Sequence, residues 1–229
     1  MPRLLALETS GELCSVALCD GEHFVADTRH APRQHAQCLL PMIGELMAQA
    51  ELAFTDLDGI VFGRGPGSFT GLRIAVATAQ GLAFAHDLPV FPVSTLQALA
   101  WQAHQQVFAR QIITLADARM GEVYWAAWDL EAGIPLARAG EQVSAPETVE
   151  VAGMADQDWL LVGSGLNYAS RLPLTTLNAA QQQLAEMQPE ALSMLHLALP
   201  RYAAGEGLDA AQAEAVYLRN QVVTLPSAS

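Results

Sequence analysis

The chain contains two segments that repeat in the same order, and this internal repeat restricts its fold more than any other feature. Residues 5–17 (LALETSGELCSVA) resemble residues 115–127 (LADARMGEVYWAA), and each predicts two apolar strands joined by a turn that contains Gly-Glu. Residues 56–65 (DLDGIVFGRG) resemble residues 156–165 (DQDWLLVGSG), and each predicts a strand that ends in Gly-x-Gly. Two matches in the same order favour duplication of one unit.

The remaining sequence predicts helices that alternate with strands. It predicts two helices, at residues 34–50 and 69–86, and further strands at residues 88–93, 111–116 and 216–218. Strands that alternate with helices are typical of mixed α/β sheets. We therefore predict two duplicated α/β lobes, residues 1–108 and residues 109–229, and we expect the final segment to be able to pack back on the first lobe.

The composition excludes several classes of function. Apolar residues make up 52% of the chain and charged residues 15%, so a large core can form and apolar surface remains for a protein contact. The chain has eleven arginines, no lysine and a formal net charge of −13. A basic stripe that binds nucleic acid is therefore not expected from this chain alone. A P-loop lysine, a Schiff-base lysine and a lysine general base are excluded.

The N-terminus and the cysteines predict a cytoplasmic protein. Glu8 follows the first residues too closely for the apolar core of a signal peptide, and no uncharged apolar run approaches the ~20 residues that span a membrane. The cysteines, Cys14, Cys19 and Cys38, are odd in number and lack CxxC spacing. A disulfide framework is therefore not expected, and a reducing compartment is.

A glycine-rich turn occupies residues 63–73 (GRGPGSFTGLR), between an apolar strand and a predicted helix. Free N–H groups at a helix N-terminus can bind phosphate, which would place a phosphate or nucleotide contact at Gly65, Gly67 and Ser68. The alternative is a structural turn that lets the helix pack closely on its strand, with Ser68 or Thr70 as the N-cap. Gly-x-Gly alone does not distinguish these two interpretations.

Both predicted helices of the first half carry few polar residues on any side. A surface helix of a monomer normally shows one apolar stripe and one polar face, so these helices are either buried all round or shared with a partner. We interpret them as a partner surface, to which small residues such as Ala75 and Ala79 would admit another helix. The predicted contact residues are His35, Leu39, Met42, Ile43, Leu46, Thr70, Leu72, Ile74, Ala75, Thr78, Ala79 and Leu82.

Catalytic motifs are sparse. The six histidines form neither HxxxH nor HExxH, and no GxSxG nucleophile turn occurs. Glu8 and Asp117 lie at the ends of the matching hairpin strands, one position out of register, where carboxylates could position Mg²⁺ and a nucleotide or could serve only in turns and caps. We therefore predict no catalytic residue and no metal ligand in this chain.

Several motifs together resemble the TsaB (YeaZ) family. They are residues 5–9 (LALET), His35 with residues 39–41 (LLP), the turn at residues 63–73, residues 93–96 (VSTL), residues 117–124 (DARMGEVY) and residues 217–220 (YLRN). They extend from near the first residue to near the last, and the glycine-rich turn combined with RMGEVY is specific. One departure is Ala215, where a proline commonly precedes the VYLR segment.

The resemblance implies two duplicated RNase H-like lobes of the ASKHA (actin/Hsp70-like) superfamily. It implies a non-catalytic scaffold or dimerisation subunit in the formation of N6-threonylcarbamoyladenosine at position 37 of tRNA. The expected partners are a TsaD-like catalytic subunit, a TsaE-like ATPase and a second copy of the chain, with tRNA reached only through the complex. No intrinsic cofactor is expected, whereas ATP and a metal ion are expected on the partner subunits.

TsaD-like proteins carry an Asn-His-x-x-x-His segment where this chain has residues 94–99 (STLQAL). Thr95 and Leu99 then stand at the two metal-ligand positions, and neither is a useful ligand for a transition metal. The resemblance thus implies a scaffold without a catalytic metal of its own. A free-standing nucleotide-dependent enzyme of the actin-like superfamily is the alternative, supported by the glycine-rich turn and Glu8. No nucleophile–base pair or metal pair supports a peptidase.

Overall fold

Two five-stranded sheets with helices form the protein in the computed structural model, which describes residues 1–154 and 158–219. The first sheet contains β1 (Arg3–Glu8), β2 (Leu13–Asp20), β3 (His23–His30), β4 (Gly59–Gly65) and β5 (Val90–Ser94). The second contains β6 (Gln111–Arg119), β7 (Glu122–Glu131), β8 (Ile134–Ser144), β9 (Trp159–Val162) and β10 (Ala180–Leu184). The α-helices of the described part are α1 (His35–Gln49), α2 (Phe69–His86), α3 (Thr95–Val107), α4 (Leu174–Ala179) and α5 (Ala191–Ala203).

The two sheets have the same topology. The strand order is β3-β2-β1-β4-β5 in the first sheet and β8-β7-β6-β9-β10 in the second. In both, the first three strands are antiparallel neighbours, the fourth runs parallel to the first, and the fifth runs parallel to the fourth. The predicted two-lobed α/β fold is therefore confirmed.

The parallel ladders define which residues of the two lobes are equivalent. The last pairs of the ladders are Leu7–Phe62 in the first sheet and Thr114–Val162 in the second. Gly63 and Gly163 follow these pairs and are equivalent, as the sequence match predicts. Glu8, however, is equivalent to Leu115, because β6 has nine residues and β1 has six, which shifts the hairpin turn relative to the ladder.

Each face of the first sheet has its own apolar layer, because alternate side chains of a strand point to opposite faces. Leu5 and Leu7 of β1 pack with α1 and α2, whereas Leu4 and Ala6 pack with α5. α5 thus follows the second sheet in sequence but covers the first. α3 follows the first sheet but packs on the second, near Ile112. The strands before residue 109 form the first sheet and those after it form the second, but α3 and α5 each cover the sheet of the other half. The predicted domain boundary at residues 108 and 109 therefore stays a prediction.

Most of the predicted helices and strands form. Both predicted helices correspond to α1 and α2 within one residue, and the strands predicted at residues 88–93 and 111–116 form as β5 and β6 with shifted bounds. The strand predicted at residues 216–218 is wrong, because these residues have no regular secondary structure and no ladder partner. Val216 instead donates one backbone hydrogen bond, of 2.7 Å, to Arg64 of the first lobe. Asp156, Gln157 and Asn220, which contributed to the sequence matches, lie outside the described residues.

Among residues 1–154 and 158–219, no helix is long and apolar enough to cross a bilayer.

Candidate partner-binding surface

α2 begins at the glycine-rich turn, where the Ser68 hydroxyl accepts a hydrogen bond from the Gly71 N–H at 3.4 Å. One face of α2 is buried against the first sheet, as is one face of α1. The buried residues of α2 are Gly71, Leu72, Ala75, Ala79 and Ala83, and those of α1 are His35, Leu39, Met42, Ile43, Leu46 and Met47. The spacing of three and four residues is that of a single helix face.

This burial changes the predicted partner surface. Eight of the predicted contact residues are buried in the chain's own core, namely His35, Leu39, Met42, Ile43, Leu46, Leu72, Ala75 and Ala79. Ile74, Thr78 and Leu82 are half-buried, and Thr70 is exposed. A helix turns its most apolar face to its own sheet, so the strongest apolar periodicity identified core residues. A partner of these helices must meet the side chains on their other faces, and the contact itself stays a prediction.

The outward side of α2 is nevertheless apolar. Phe69, Arg73, Ala77, Gly81 and Phe84 are exposed and lie three or four residues apart, and we call them the α2 stripe. Phe84 is 85% exposed and Phe69 is 46% exposed. α2 contains no acidic residue, although the chain has 24. Exposed aromatic side chains on a helix that lacks acidic residues are typical of the centre of a protein interface.

α1 has a similar outward side. Leu40 is 58% exposed, and Pro41, Gly44 and Ala48 are exposed beside it. A Cβ added to Gly44 or Gly81 would have nothing within 4 Å. Glycine in a helix interior costs about 1 kcal/mol relative to alanine, and packing within the chain does not require it at either position. Next to the α2 stripe is a cavity of about 390 Å³, lined by Ala77, Gln80, Gly81, Phe84, Ala210 and Ala211.

The glycine-rich turn lets α2 pack closely on the loop that follows β1. A Cβ on Gly71 would lie 1.9 Å from the carbonyl oxygen of Thr9, whose hydroxyl donates to the Gly71 carbonyl at 2.7 Å. A Cβ on Gly67 would lie 2.5 Å from the Cβ of Ser10. The Ser68 N–H, which a bound phosphate would need, donates to the Ser10 carbonyl at 2.8 Å. These contacts favour the structural interpretation of the turn.

Gly65 also has a packing role. Its φ of 102° is in the region that favours glycine, and an added Cβ would lie 2.9 Å from Leu72 and 3.1 Å from the carbonyl oxygen of Val216. All three predicted phosphate contacts, at Gly65, Gly67 and Ser68, are therefore engaged within the chain. A phosphate contact there stays a prediction.

Glu8 is the most perturbed acidic group of this region. Its side chain is 1% exposed, Oε1 accepts the Ser10 N–H, and Oε2 has no hydrogen-bond partner among the described residues. Burial raises the pKa of Glu8 to about 7, and hydrogen bonds from Ser10 and Thr9 oppose this shift. A Cβ on Gly63 would lie 2.0 Å from Oε2, so glycine is required beside this carboxyl group.

Asp117 is engaged in the turn of its own lobe. Its carboxylate accepts the Arg119 N–H at 2.7 Å and the Tyr168 hydroxyl at 3.3 Å, and it pairs with the Arg119 guanidinium at 3.0 Å. Glu8 is equivalent to Leu115 in the other lobe. The two carboxylates therefore do not occupy matching positions, and Asp117 has the turn chemistry that was the alternative to a Mg²⁺ site.

Side chains of the two lobes meet at the end of β5. Glu141 of β8 accepts hydrogen bonds from Arg64 at 2.9 Å and from the Ser94 hydroxyl, which also caps α3. The neighbouring Thr95 hydroxyl donates to a backbone carbonyl of the glycine-rich turn at 2.5 Å, and Leu99 is 1% exposed. Thr95 and Leu99 thus make packing contacts. Among residues 1–154 and 158–219, no three His, Cys, Asp or Glu side chains are grouped as in a metal site.

Sequence reasoning missed the residues that form the exposed surface. Phe69 and Phe84 were assigned to the predicted helix but not to the partner surface, and neither Leu40 nor Tyr217 was included in it. The signal that could have found the α2 stripe is its own spacing of three and four residues, offset from the core-facing face. The contribution of Tyr217 has no such signal, since it comes from a segment without regular structure.

Comparison with known proteins relates the whole chain to one group. The family of TsaD (tRNA N6-adenosine threonylcarbamoyltransferase) matches residues 28–215. The chain is 38% identical to the tRNA threonylcarbamoyladenosine biosynthesis protein TsaB of Escherichia coli (strain K12), over 96% of each chain. It is 38% identical to TsaB of Haemophilus influenzae, over 96% of this chain and 94% of that one. YeaZ from Pseudomonas aeruginosa superimposes with a TM-score of 0.90 at 43% identity, covering 95% of this chain and 100% of that chain.

Proposed function

Because the chain belongs to the TsaB family of tRNA threonylcarbamoyladenosine biosynthesis proteins, we propose that it is a non-catalytic scaffold subunit that binds and activates a TsaD-like catalytic subunit. The formation of threonylcarbamoyladenosine in tRNA then takes place on the partner. A TsaE-like ATPase joins the complex, and ATP and a metal ion are bound by the partner subunits.

The observation that carries this proposal is the pair of apolar outward faces on α1 and α2. The α2 stripe has two exposed phenylalanines and no acidic residue, and the neighbouring face of α1 has Leu40. Gly44 and Gly81 are open to close approach by another helix. An apolar helix surface of this kind is stabilised when a partner covers it, because burial removes apolar area from water.

A scaffold role is supported by the residues of this chain that stand where TsaD-like proteins have their metal ligands. Thr95 and Leu99 lack the imidazole nitrogens that a transition metal prefers, and both side chains are engaged in the core. With a net charge of −13, the chain offers little for tRNA phosphates. The basic groups that hold tRNA are therefore expected on the partner subunits.

Co-elution in size-exclusion chromatography with the TsaD-like protein of the same organism tests the proposal. Wild type is expected to co-elute, and Ala77→Glu, in the middle of the α2 stripe, is expected to abolish co-elution because it puts a large charged side chain where a methyl group allows close helix contact. Ala203→Glu, an exposed position at the end of α5, is the matched control and should co-elute. Ala75 and Ala79 are unsuitable for this test because they are fully buried.

Two outcomes contradict the proposal. One is the absence of any complex with wild type at micromolar concentration. The other is transfer of threonylcarbamoyl to tRNA by the purified chain alone, which would make it an enzyme rather than a scaffold.

A further inference from the structure

The α2 stripe continues across the lobe junction onto the second lobe. Phe69, at its start, contacts Tyr217 with ring centroids 5.3 Å apart, and Cζ of Arg73 lies 3.9 Å from the Phe69 ring centroid. Two residues further on, Arg219 reaches the β6–β7 turn, where its Nη1 is 3.6 Å from Sδ of Met120. Tyr217 is 46% exposed and Met120 is 73% exposed. We call Phe69, Arg73, Met120 and Tyr217 the junction patch.

The β6–β7 turn holds Met120 in a backbone conformation that most side chains avoid. Arg119 and Met120 have φ values of 63° and 57°, and Gly121 follows with 78°. Two-residue turns with positive φ favour Asn, Asp or Gly, and another side chain there costs on the order of 1 kcal/mol. Asp117 accepts the Arg119 N–H at 2.7 Å, and Arg171 donates to the Gly121 carbonyl at 3.1 Å. The turn is thus fixed from both sides and presents an exposed methionine where the local backbone favours a small polar residue.

The junction patch contains one arginine and no acidic residue, although the chain as a whole is acidic. Within residues 1–154 and 158–219, Arg73 forms no ion pair with a carboxylate, and its helix contains no acidic residue. Arg119, beside Met120, is 75% exposed while it pairs with Asp117. Phe, Tyr, Met and Arg are the residue types that are enriched in protein interfaces. A surface complementary to this patch would be apolar and would carry a carboxylate opposite Arg73.

We infer that the junction patch binds an acidic, apolar segment of the protein partner that docks on α1 and α2, so that the partner contact spans both lobes. This inference rests on the scaffold function proposed above, and through Met120 and Tyr217 it extends the partner surface beyond the two helices. A nucleic-acid ligand is disfavoured, because the chain as a whole repels phosphate at a net charge of −13.

The apolar part of the inference is tested with Met120→Asn. Asparagine is favoured at positive φ, so the turn and the fold are expected to be retained while the apolar contact is lost. We expect the Kd for the TsaD-like subunit, measured by isothermal titration calorimetry, to rise about tenfold, as for an interface anchor residue. Leu174→Asn is the matched control, since Leu174 lies on α4 and is 74% exposed, and its Kd should change by less than about twofold.

The acidic character of the partner is tested through salt. The Kd of wild type is expected to rise with NaCl concentration, and Arg73→Gln should remove part of this dependence. Arg110→Gln, an exposed position before β6, should leave it unchanged. A salt-independent Kd for wild type contradicts an acidic partner segment, and stronger binding of wild type to tRNA than to the protein partner contradicts a protein ligand.

Failure of the inference is distinguishable from failure of the proposed function. If Ala77→Glu abolishes binding but Met120→Asn binds like wild type, the scaffold function stands and the extension onto the second lobe is wrong. If wild type does not bind the TsaD-like subunit at all, both are contradicted.

Discussion

Glu8 is a buried carboxyl group that the fold itself does not require. The equivalent residue of the second lobe is Leu115, in a sheet of the same topology, so the fold accommodates an apolar side chain at this position. Oε2 of Glu8 has no hydrogen-bond partner among the described residues, and Gly63 is needed to make room for it. A buried ionised carboxylate is unfavourable, which is why the pKa is raised to about 7. Glu8 is therefore expected to make the stability of the chain depend on pH.

Glu8→Gln is expected to remove this pH dependence. The folded-state pKa of about 7 lies above the usual value of 4.5, so the folded protein binds more protons than the unfolded chain between these two pH values. The free energy of unfolding of wild type should therefore fall as the pH rises from 4.5 to 7, by an amount on the order of a few kcal/mol. Urea unfolding of wild type and Glu8→Gln at pH 5, 6, 7 and 8 measures the difference between their free energies of unfolding. If this difference is the same at all four pH values, Glu8 does not titrate in this range.

At the scale of elements, α2 is apolar on two sides for two different reasons. Its inner face, with Ala75, Ala79 and Ala83, packs on the first sheet, and small residues there let the helix lie close to the strands. Its outer face has Phe84 and Gly81, which nothing in the described chain covers. The same helix thus belongs to the core and to the proposed interface, and changes on its two faces have different consequences.

Gly81→Ala is expected to separate stability from binding. An added Cβ meets nothing within 4 Å, so the substitution should stabilise the isolated chain by about 0.5–1 kcal/mol through the greater helix propensity of alanine. The same methyl group should weaken binding to the TsaD-like subunit, because it occupies space at the helix contact. Chemical denaturation and calorimetry measure the two effects.

Gly140→Ala is the control for this prediction. Gly140 is an exposed residue of β8 whose added Cβ also meets nothing within 4 Å, so its substitution should not change the Kd. A Gly81→Ala variant with greater stability and an unchanged Kd would argue against helix contact at α2.

At the scale of the whole molecule, the two lobes are joined by exchanged helices and by an ionic contact between Arg64 and Glu141. α3 and α5 each pack on the sheet of the other half. Glu141 extends from the second lobe to Arg64 and Ser94 of the first, and its side chain is only 12% exposed. Together these contacts make the relative position of the lobes a property of the single chain. A surface that spans both lobes, such as the junction patch, is then preformed before any partner binds.

A double-mutant cycle measures the contribution of the junction between the lobes. Arg64→Ala and Glu141→Ala are expected to be coupled by about 1 kcal/mol in the free energy of unfolding, because the pair is largely removed from solvent. The Arg171 and Glu147 pair, which lies 2.7 Å apart but is exposed, is the control and should show much weaker coupling. Equal coupling in the two cycles would contradict a structural role for Glu141 between the lobes.

The sequence predicted the helices and strands well, but it assigned core-facing residues of two helices to the partner surface. The repeat and the strand–helix alternation predicted the two lobes, and α1 and α2 form within one residue of the expected bounds. The partner surface was placed on Leu39, Met42 and Ala75 because periodicity finds the most apolar face. Only burial distinguishes a face that packs on its own sheet from one that is free, and burial depends on the position of the sheet. The glycine-rich turn was ambiguous for the same reason.

The sequence by itself determined the duplicated α/β architecture, the family resemblance and the absence of lysine chemistry, because these follow from local patterns and from residue types. Only the tertiary structure decided that Gly67 and Gly71 pack against the loop after β1, that the Glu8 side chain is buried and that Tyr217 and Met120 extend the α2 stripe. Each of these depends on contacts between residues far apart in the chain. Their distances are set by how the sheets and the exchanged helices pack, which no local pattern specifies.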